Sequence, residues 1–300
     1  MAGYQPSDAE LSTLIRACVL GPLTVVDYSQ IENRVLAWLA GQQSVLDAYD
    51  RGEDVYINMA KKVFDVTEVD DYQRNNVGKP LVLGCGFGLG GDTFEIFGAG
   101  YGLDFEAVGY TPRELVNTYR DEHPMIAGVD TGREYKGHKI REGGFWKDLG
   151  AAFTAVVSNE ELEVHVGRIR FQRVGDDVLC HLPSGRFLRY RNVMMEMKVP
   201  GWGGDPKPTT TYLSSRGVRI PTYGGKLAEN VTQAVARDVL GYSLINLEAA
   251  GVPTVLHVHD EVLAETENYD IVASIMKQVP EWAEGLPLDV DGTVMERYRK

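Results

Sequence analysis

The sequence predicts an α+β fold, and three observations predict it. Two short apolar, β-favouring runs, Leu23–Val26 and Thr254–Val258, each end in acid. Helical spacing of apolar residues fills much of the chain between and after them. Apolar and polar residues alternate over 161–198, the pattern of half-buried strands.

Residues 8–20 have mixed helical spacing, and Gly21-Pro22 are expected to stop them. Leu23–Val26 then reads as a buried strand ending at Asp27. A helix follows, with Ile31, Val35, Trp38 and Leu39 on one face and Gly41 as its stop. Residues 44–64 read as a further helix marked by Tyr49, Val55, Tyr56, Met59 and Val63. The stretch 112–127 reads as one starting at Pro112, where the missing N–H costs nothing, and ending near Pro124. Residues 143–157 are expected to be helical too. Hairpins are expected over 161–198, with a turn at Pro183-Ser184-Gly185. A Gly/Pro-rich loop covers Pro200–Pro208. A long helix spans 226–249, lined by Leu227, Val231, Val235, Val239 and Leu247, and Gly251-Val252-Pro253 ends it. Thr254–Val258 and Val262–Ala264 make a hairpin whose turn carries His259-Asp260-Glu261.

The bulk numbers narrow the function. Three hundred residues can bury a substantial core, and 33 glycines imply many tight turns. No run approaches 18 apolar residues and no signal-peptide layout opens the chain, so a cytoplasmic protein without a membrane partner is expected. The cysteines, Cys18, Cys85 and Cys180, include no close pair, which argues for reduced thiols rather than a disulfide framework or zinc knuckle. A net charge of −13 argues against non-specific DNA binding over the whole surface, though not against a local basic groove. Basic residues cluster at Arg168–Arg173 and Arg186–Arg191.

Two β runs ending in Asp27 and in Asp260-Glu261 lie more than 200 residues apart. As neighbours in one sheet they would bring three carboxylates together, a set suited to hard divalent cations such as Mg²⁺. Two such ions would serve an in-line phosphoryl displacement. The same acids also fit solvated turn residues, because the sequence does not give the adjacency of the runs. His257 and His259 share a strand face, but zinc usually wants more nitrogen or sulfur ligands than stand near them.

Asp27-Tyr28-Ser29-Gln30-Ile31-Glu32-Asn33-Arg34 resembles motif A of the family A DNA polymerases, and His259-Asp260-Glu261 resembles motif C. Gly78-Lys79, Leu83 and Phe87-Gly88 resemble motif B, the fingers helix. Tyr223–Asn230 with Gln233 and Ala236-Arg237-Asp238, Leu182–Arg186, and Arg297-Tyr298-Arg299-Lys300 are similar to the phage-type branch. The resemblance implies a right-hand polymerase palm, an antiparallel sheet with long helices, plus mostly helical fingers. The palm would comprise 1–42 and 175–300, the fingers 43–174. It implies dNTP addition to a primer 3′ end on primer–template DNA, in a bacterial or phage-infected cytoplasm. Two Mg²⁺ ions, for which Mn²⁺ can substitute, would sit on Asp27 and Asp260, helped by the Tyr28 carbonyl and Glu261. Glu32 would exclude the ribose 2′-OH. Lys79 would neutralise charge on the triphosphate. Leu83 and Phe87 would face the nucleotide and nascent pair, and Gln233 and His259 the DNA.

The pattern departs from the family in several places. The arginine usually four residues before the motif B lysine is replaced by Asn75, while Arg74 stands five before. Five positions on an α-helix leave Arg74 roughly 140° round from Lys79, unless the helix is irregular there. Leu83 stands where an aromatic residue is common, and Pro80 requires a helix start near Gly78. Only about 26 residues precede Asp27, so the thumb and exonuclease domain are expected to be absent, in a split polymerase completed by a separate thumb- and exonuclease-bearing chain or in a truncated relative.

Two other readings remain at this point. Gly86-Phe87-Gly88-Leu89-Gly90-Gly91, with Lys79–Leu83 as a strand and Asp104 or Glu106 downstream, satisfies a dinucleotide-binding fingerprint of an oxidoreductase. A non-catalytic polymerase remnant that binds DNA or a replication partner is the other.

Overall fold

The computed structural model describes residues 7–135, 137–199 and 205–299. The chain forms two compact units, Met1–Ile31 with Ala236–Lys300, and the continuous stretch Glu32–Val235. The palm and fingers borders that the resemblance implies, after residues 42 and 174, both fall inside the second unit.

Helix α1 (Asp8–Arg16) starts on a capping box in which Ser7 and Glu10 satisfy each other's backbone donors. It stops at Arg16. Gly21-Pro22, expected to end it, lie inside strand β1 (Leu20–Tyr28), which runs one residue past Asp27. Helix α2 (Ile31–Ala40) buries Ile31, Val35, Trp38 and Leu39 as its spacing predicts. The stretch 44–64 is two helices instead of one, α3 (Gln43–Asp50) and α4 (Val55–Phe64). Gly52 takes φ +70° between them, and Asp54 caps α4 by accepting from the Tyr56 and Ile57 amides.

A π-helix (Gln73–Gly78) leads directly into α5 (Lys79–Cys85). Residues 79–83 are therefore helical, and the strand that a dinucleotide fingerprint needs is not formed there. Helices α6 (Gly91–Gly100), α7 (Phe105–Val108), α8 (Pro112–Glu122) and α9 (Pro124–Ala127) follow. An antiparallel hairpin of β2 (Val129–Tyr135) and β3 (His138–Glu142), not expected from the sequence, precedes α10 (Phe145–Ser158).

The alternating region gives β4 (Glu163–Val166), β5 (Ile169–Val174), β6 (Asp177–His181) and β7 (Phe187–Lys198). With β8 (Lys207–Leu213) and β9 (Arg219–Pro221), these form a six-stranded antiparallel sheet in chain order. Of the loop expected over Pro200–Pro208, residues 200–204 lie outside the described residues, and Lys207-Pro208 begin β8. Helix α11 (Gly224–Ala249), β10 (Thr254–Val258), β11 (Glu261–Ala264), α12 (Tyr269–Met276) and β12 (Val290–Arg297) complete the chain.

In the first unit the four strands run in the order β10-β11-β1-β12, all neighbours antiparallel. Alternation along β1 divides the sheet into two faces. Tyr28 points its hydroxyl to Ser243 of α11, at 2.6 Å, and to the Met276 carbonyl of α12, at 2.8 Å. Burial pushes this phenol up to about 12. Leu23, Val25, Leu263 and Tyr298 form a small separate core, and Asp27 is the next residue along that side of β1. Each such apolar side chain stabilises the unit by about 1.5–3 kcal/mol.

The second unit is built on fully buried Trp38, Phe94, Tyr119, Phe153 and Phe171. Its basic clusters fasten the six-stranded sheet. Arg168 stacks over Trp38 at 4.3 Å and donates to the Trp38 carbonyl. Arg170 pairs with Glu163, Arg189 with Asp177, and Arg173 donates to the Val157 carbonyl. Arg186, from the Leu182–Arg186 turn, donates to the Ala234 carbonyl of α11 at 3.2 Å. Side chains that the sequence offers as a basic groove are thus largely spent on packing.

Candidate active site

The two acidic strand ends are neighbours. Strand β1 pairs with β11 so that Asp27 faces Glu261, and with β12 so that Asp27 faces Asp291. Asp260 sits in the two-residue turn just before β11, and the His259 ahead of it has φ +55°. A non-glycine residue in that left-handed region costs roughly 1–2 kcal/mol, so this turn is held by its surroundings. Gly292 permits the close approach of β12, since a Cβ there would come within 2.2 Å of the Val25 carbonyl.

Glu261 is buried, 5% exposed, and accepts a hydrogen bond from the Tyr298 hydroxyl. Burial, reinforced by that carboxylate, pushes the Tyr298 phenol up to about 12. Asp27, Glu261, Asp291 and Arg299 line one cavity of about 380 Å³. Among the described residues these acids do not close into a ready-made cage of three or more metal donors. The donor set still fits Mg²⁺, which is commonly held by one or two carboxylates plus substrate phosphates and water rather than by an all-protein cage. Asp291 was not legible as a residue lining this cavity, because it stands in a mostly exposed strand, whereas Arg299 belongs to the terminal Arg297–Lys300 run.

In the second unit, Lys79, Leu83 and Phe87 are the half-exposed positions in an otherwise buried run from Val77 to Phe87. Their spacing of four puts Lys79 and Leu83 on one face of α5. The helix ends at Cys85, so Phe87 stands in the turn beyond it and not on the fingers helix expected to carry it; Gly88 has φ +84° there. The helix is irregular at Arg74. The Lys79 amide donates to the Arg74 carbonyl, a five-residue π turn. A turn widened to i→i+5 leaves a smaller angular offset between Arg74 and Lys79 than an α turn would. Pro80, without an N–H, occupies the first turn of α5. Arg74 itself pairs with Asp54 at 2.7 Å and lies 5.4 Å over Tyr56.

Glu32 and Gln233, assigned separate roles by resemblance, are bonded to each other: the Gln233 amide donates to the Glu32 carboxylate at 2.5 Å. The rest of motif A in this unit is packing. Asn33 donates to the Tyr49 hydroxyl at 2.7 Å, and Arg34 stacks on that ring at 3.9 Å. The phenol of Tyr49 is pushed well above its ordinary range, chiefly by burial.

Residues 6–95 match the family described as DNA polymerase family A. The chain is similar to the DNA polymerase of Bacillus phage SP02, 33% identical over 97% of this chain and 44% of that protein. It is also similar to DNA polymerase I of Lactococcus lactis subsp. lactis, 24% identical over 88% of this chain and 24% of that one. Among solved structures, the POL domain of Pol1 from M. smegmatis, in complex with DNA primer-template and dNTP, superposes with a TM-score of 0.53. It is 20% identical, over 97% of this chain and 43% of that one, a likeness of fold. The chain spans less than half the length of these relatives.

Proposed function

We propose that the chain, which is similar to the DNA polymerase of Bacillus phage SP02 and matches DNA polymerase family A over residues 6–95, adds dNTPs to a primer 3′ end under template direction. The carrying observation is the β1–β11 register, which sets Asp27 beside Glu261 at the strand that Asp260 precedes. Carboxylates at one sheet edge are what a two-metal nucleotidyl transfer requires.

In this reading Asp27 and Asp260 hold the ions, with the Tyr28 carbonyl and Glu261 in support. Bound Mg²⁺ would supply Lewis-acid activation of the attacking hydroxyl and charge neutralisation on the phosphates. Lys79, on the half-exposed face of α5, binds the triphosphate and stabilises its developing charge, with Arg74 one π turn earlier. Leu83 and Phe87 flank the base and sugar. Glu32 blocks the ribose 2′ position, oriented by Gln233, while Gln233 and His259 approach the DNA. The palm would be 1–42 and 175–300, and the fingers 43–174. Its net charge of −13 fits a cytoplasmic subunit that shares its DNA grip with a separate, thumb- and exonuclease-bearing polymerase chain.

The test is primer extension with Mg²⁺ and either dNTPs or rNTPs, by the chain alone and with such a partner, beside an Asp260→Asn control. Extension with dNTPs that the control lacks is the expected result. Absence of extension under every condition, or equal extension by Asp260→Asn, would overturn the proposal.

A further inference from the structure

The terminal run Arg297-Tyr298-Arg299-Lys300 has no part in the transfer proposed above, yet its tyrosine is among the most deeply buried side chains of the first unit. Tyr298 is 0% exposed and packs with Leu23, Val25 and Leu263. Its amide donates to the Val19 carbonyl at 3.0 Å, and the neighbouring Arg297 guanidinium donates to the Ala17 carbonyl. The ring cannot turn away without opening that core. Val25 stands opposite Leu263 in the β1–β11 register, and Asp27 opposite Glu261. Strand alternation puts the two pairs on one face of the sheet as successive rows, about 6.8 Å apart. Tyr298 rests its ring on the first row and donates its hydroxyl to Glu261 in the second.

That donor answers a problem of charge. Asp27 has a carboxylate opposite it on each neighbouring strand, Glu261 on β11 and Asp291 on β12, and all three residues line one cavity. Like charges set directly opposite each other across strands repel. The aspartates are short, but the Glu261 carboxylate stands at the end of a longer, rotatable side chain. Strand register therefore fixes its Cα and not its oxygens. Repulsion alone would drive that carboxylate out of the row. A hydroxyl on a packed ring, keyed to the same two strands that carry Asp27 and Glu261, keeps it in place.

We propose that Tyr298 is a positioning residue for the metal-binding site: its hydroxyl holds the Glu261 carboxylate beside Asp27, where it supports a divalent cation. Tyr298 acts through Glu261 and not on the substrate. The inference rests on the two-metal reading of Asp27 and Asp260.

The experiment is Mn²⁺ binding by the full chain, read from the EPR signal of the free ion, for wild type, Tyr298→Phe, Ser243→Ala, Glu261→Gln and Tyr298→Phe combined with Glu261→Gln. Phenylalanine keeps the packed ring and removes only the hydroxyl, and urea melts establish that each variant is folded under the assay conditions. Tyr298→Phe is expected to weaken Mn²⁺ binding about fivefold, the loss of one hydrogen bond to a charged group. Ser243→Ala also removes a buried hydroxyl contact from this unit, the one to Tyr28 on the opposite sheet face, and is expected to bind as wild type. In the Glu261→Gln background Tyr298→Phe should cost less than about twofold, because the two groups act as one. In primer extension Tyr298→Phe should lower kcat while leaving KM for dNTP within about twofold. Mn²⁺ affinity unmoved by Tyr298→Phe overturns the proposal. So does an equal loss in Ser243→Ala, or a loss that is the same with and without the Glu261 charge. Those results leave the polymerase reading standing if Asp260→Asn still abolishes Mn²⁺ binding and extension; a wild-type chain that binds no Mn²⁺ and extends no primer removes both.

Discussion

The Lys79 amide donates to the carbonyl of Arg74, five residues before it. The wide turn leaves Arg74 less far round the helix from Lys79 than an α-helix would. Deleting Asn75, an exposed residue inside the turn, should let the ladder close as an α-helix with Arg74 now four residues before the lysine. KM for dNTP is then expected within about threefold of wild type. Arg74→Ala should raise it about tenfold, the loss of one charge-assisted contact of roughly 1.5–3 kcal/mol. Steady-state kinetics on a primed template checks both, and a deletion as damaging as Arg74→Ala would refute the role of the turn.

Glu32 is held by Gln233 at 2.5 Å, so sugar choice should depend on both. Glu32→Ala is expected to increase rNTP over dNTP incorporation by about a hundredfold, and Gln233→Ala by about tenfold, because a carboxylate freed of its donor blocks the 2′ position less firmly. The ratio of kcat/KM for the two sugars is the measurement.

Asp27→Asn and Asp260→Asn should each lower extension by roughly a thousandfold or more, the several kcal/mol that a metal supplies. Primer–template affinity should change little. Glu261→Gln should be milder, since the amide oxygen can still accept from Tyr298. Chelation is expected to abolish extension, and Mg²⁺ or Mn²⁺ to restore it.

His123 gives a pH dependence of stability. It is buried, stacked on Tyr119 at 4.1 Å, and burial holds its pKa below the ordinary value, against the opposing pull of the Tyr119 carbonyl. Below about pH 6.5 the unfolded chain takes up a proton that the folded chain refuses, so unfolding becomes easier as pH falls. The slope should not exceed about 1.4 kcal/mol per pH unit from this group. Urea melts from pH 7.5 to 5.5 should show the decline, and His123→Gln should flatten it.

How much of this was legible depended on burial. Helix α2 and the β10–β11 hairpin were readable because their apolar residues repeat with the right period, and Asp27 and Asp260 stood out at strand ends. Strands β2 and β12 are exposed along most of their length and β3 is exposed or half-buried throughout, so they carry no buried apolar alternation to find. Asp291 escaped notice for that reason. The break at Gly52 was overridden by apolar markers on both sides of it. The π turn was signalled only by an arginine in the wrong place, and the strand register that brings Asp27 against Glu261 is a long-range fact that no local pattern encodes.

Glu32 and Gln233 stand at the two ends of the second unit, Glu32–Val235. Their hydrogen bond therefore closes a loop of some two hundred residues at its neck. A segment that leaves and rejoins the chain at one spot behaves as a cassette: it can be lengthened, trimmed or exchanged for another while the sheet bearing the acids keeps its strand order. The two units can then change at different rates in descent, with one carboxylate–amide hydrogen bond closing the second.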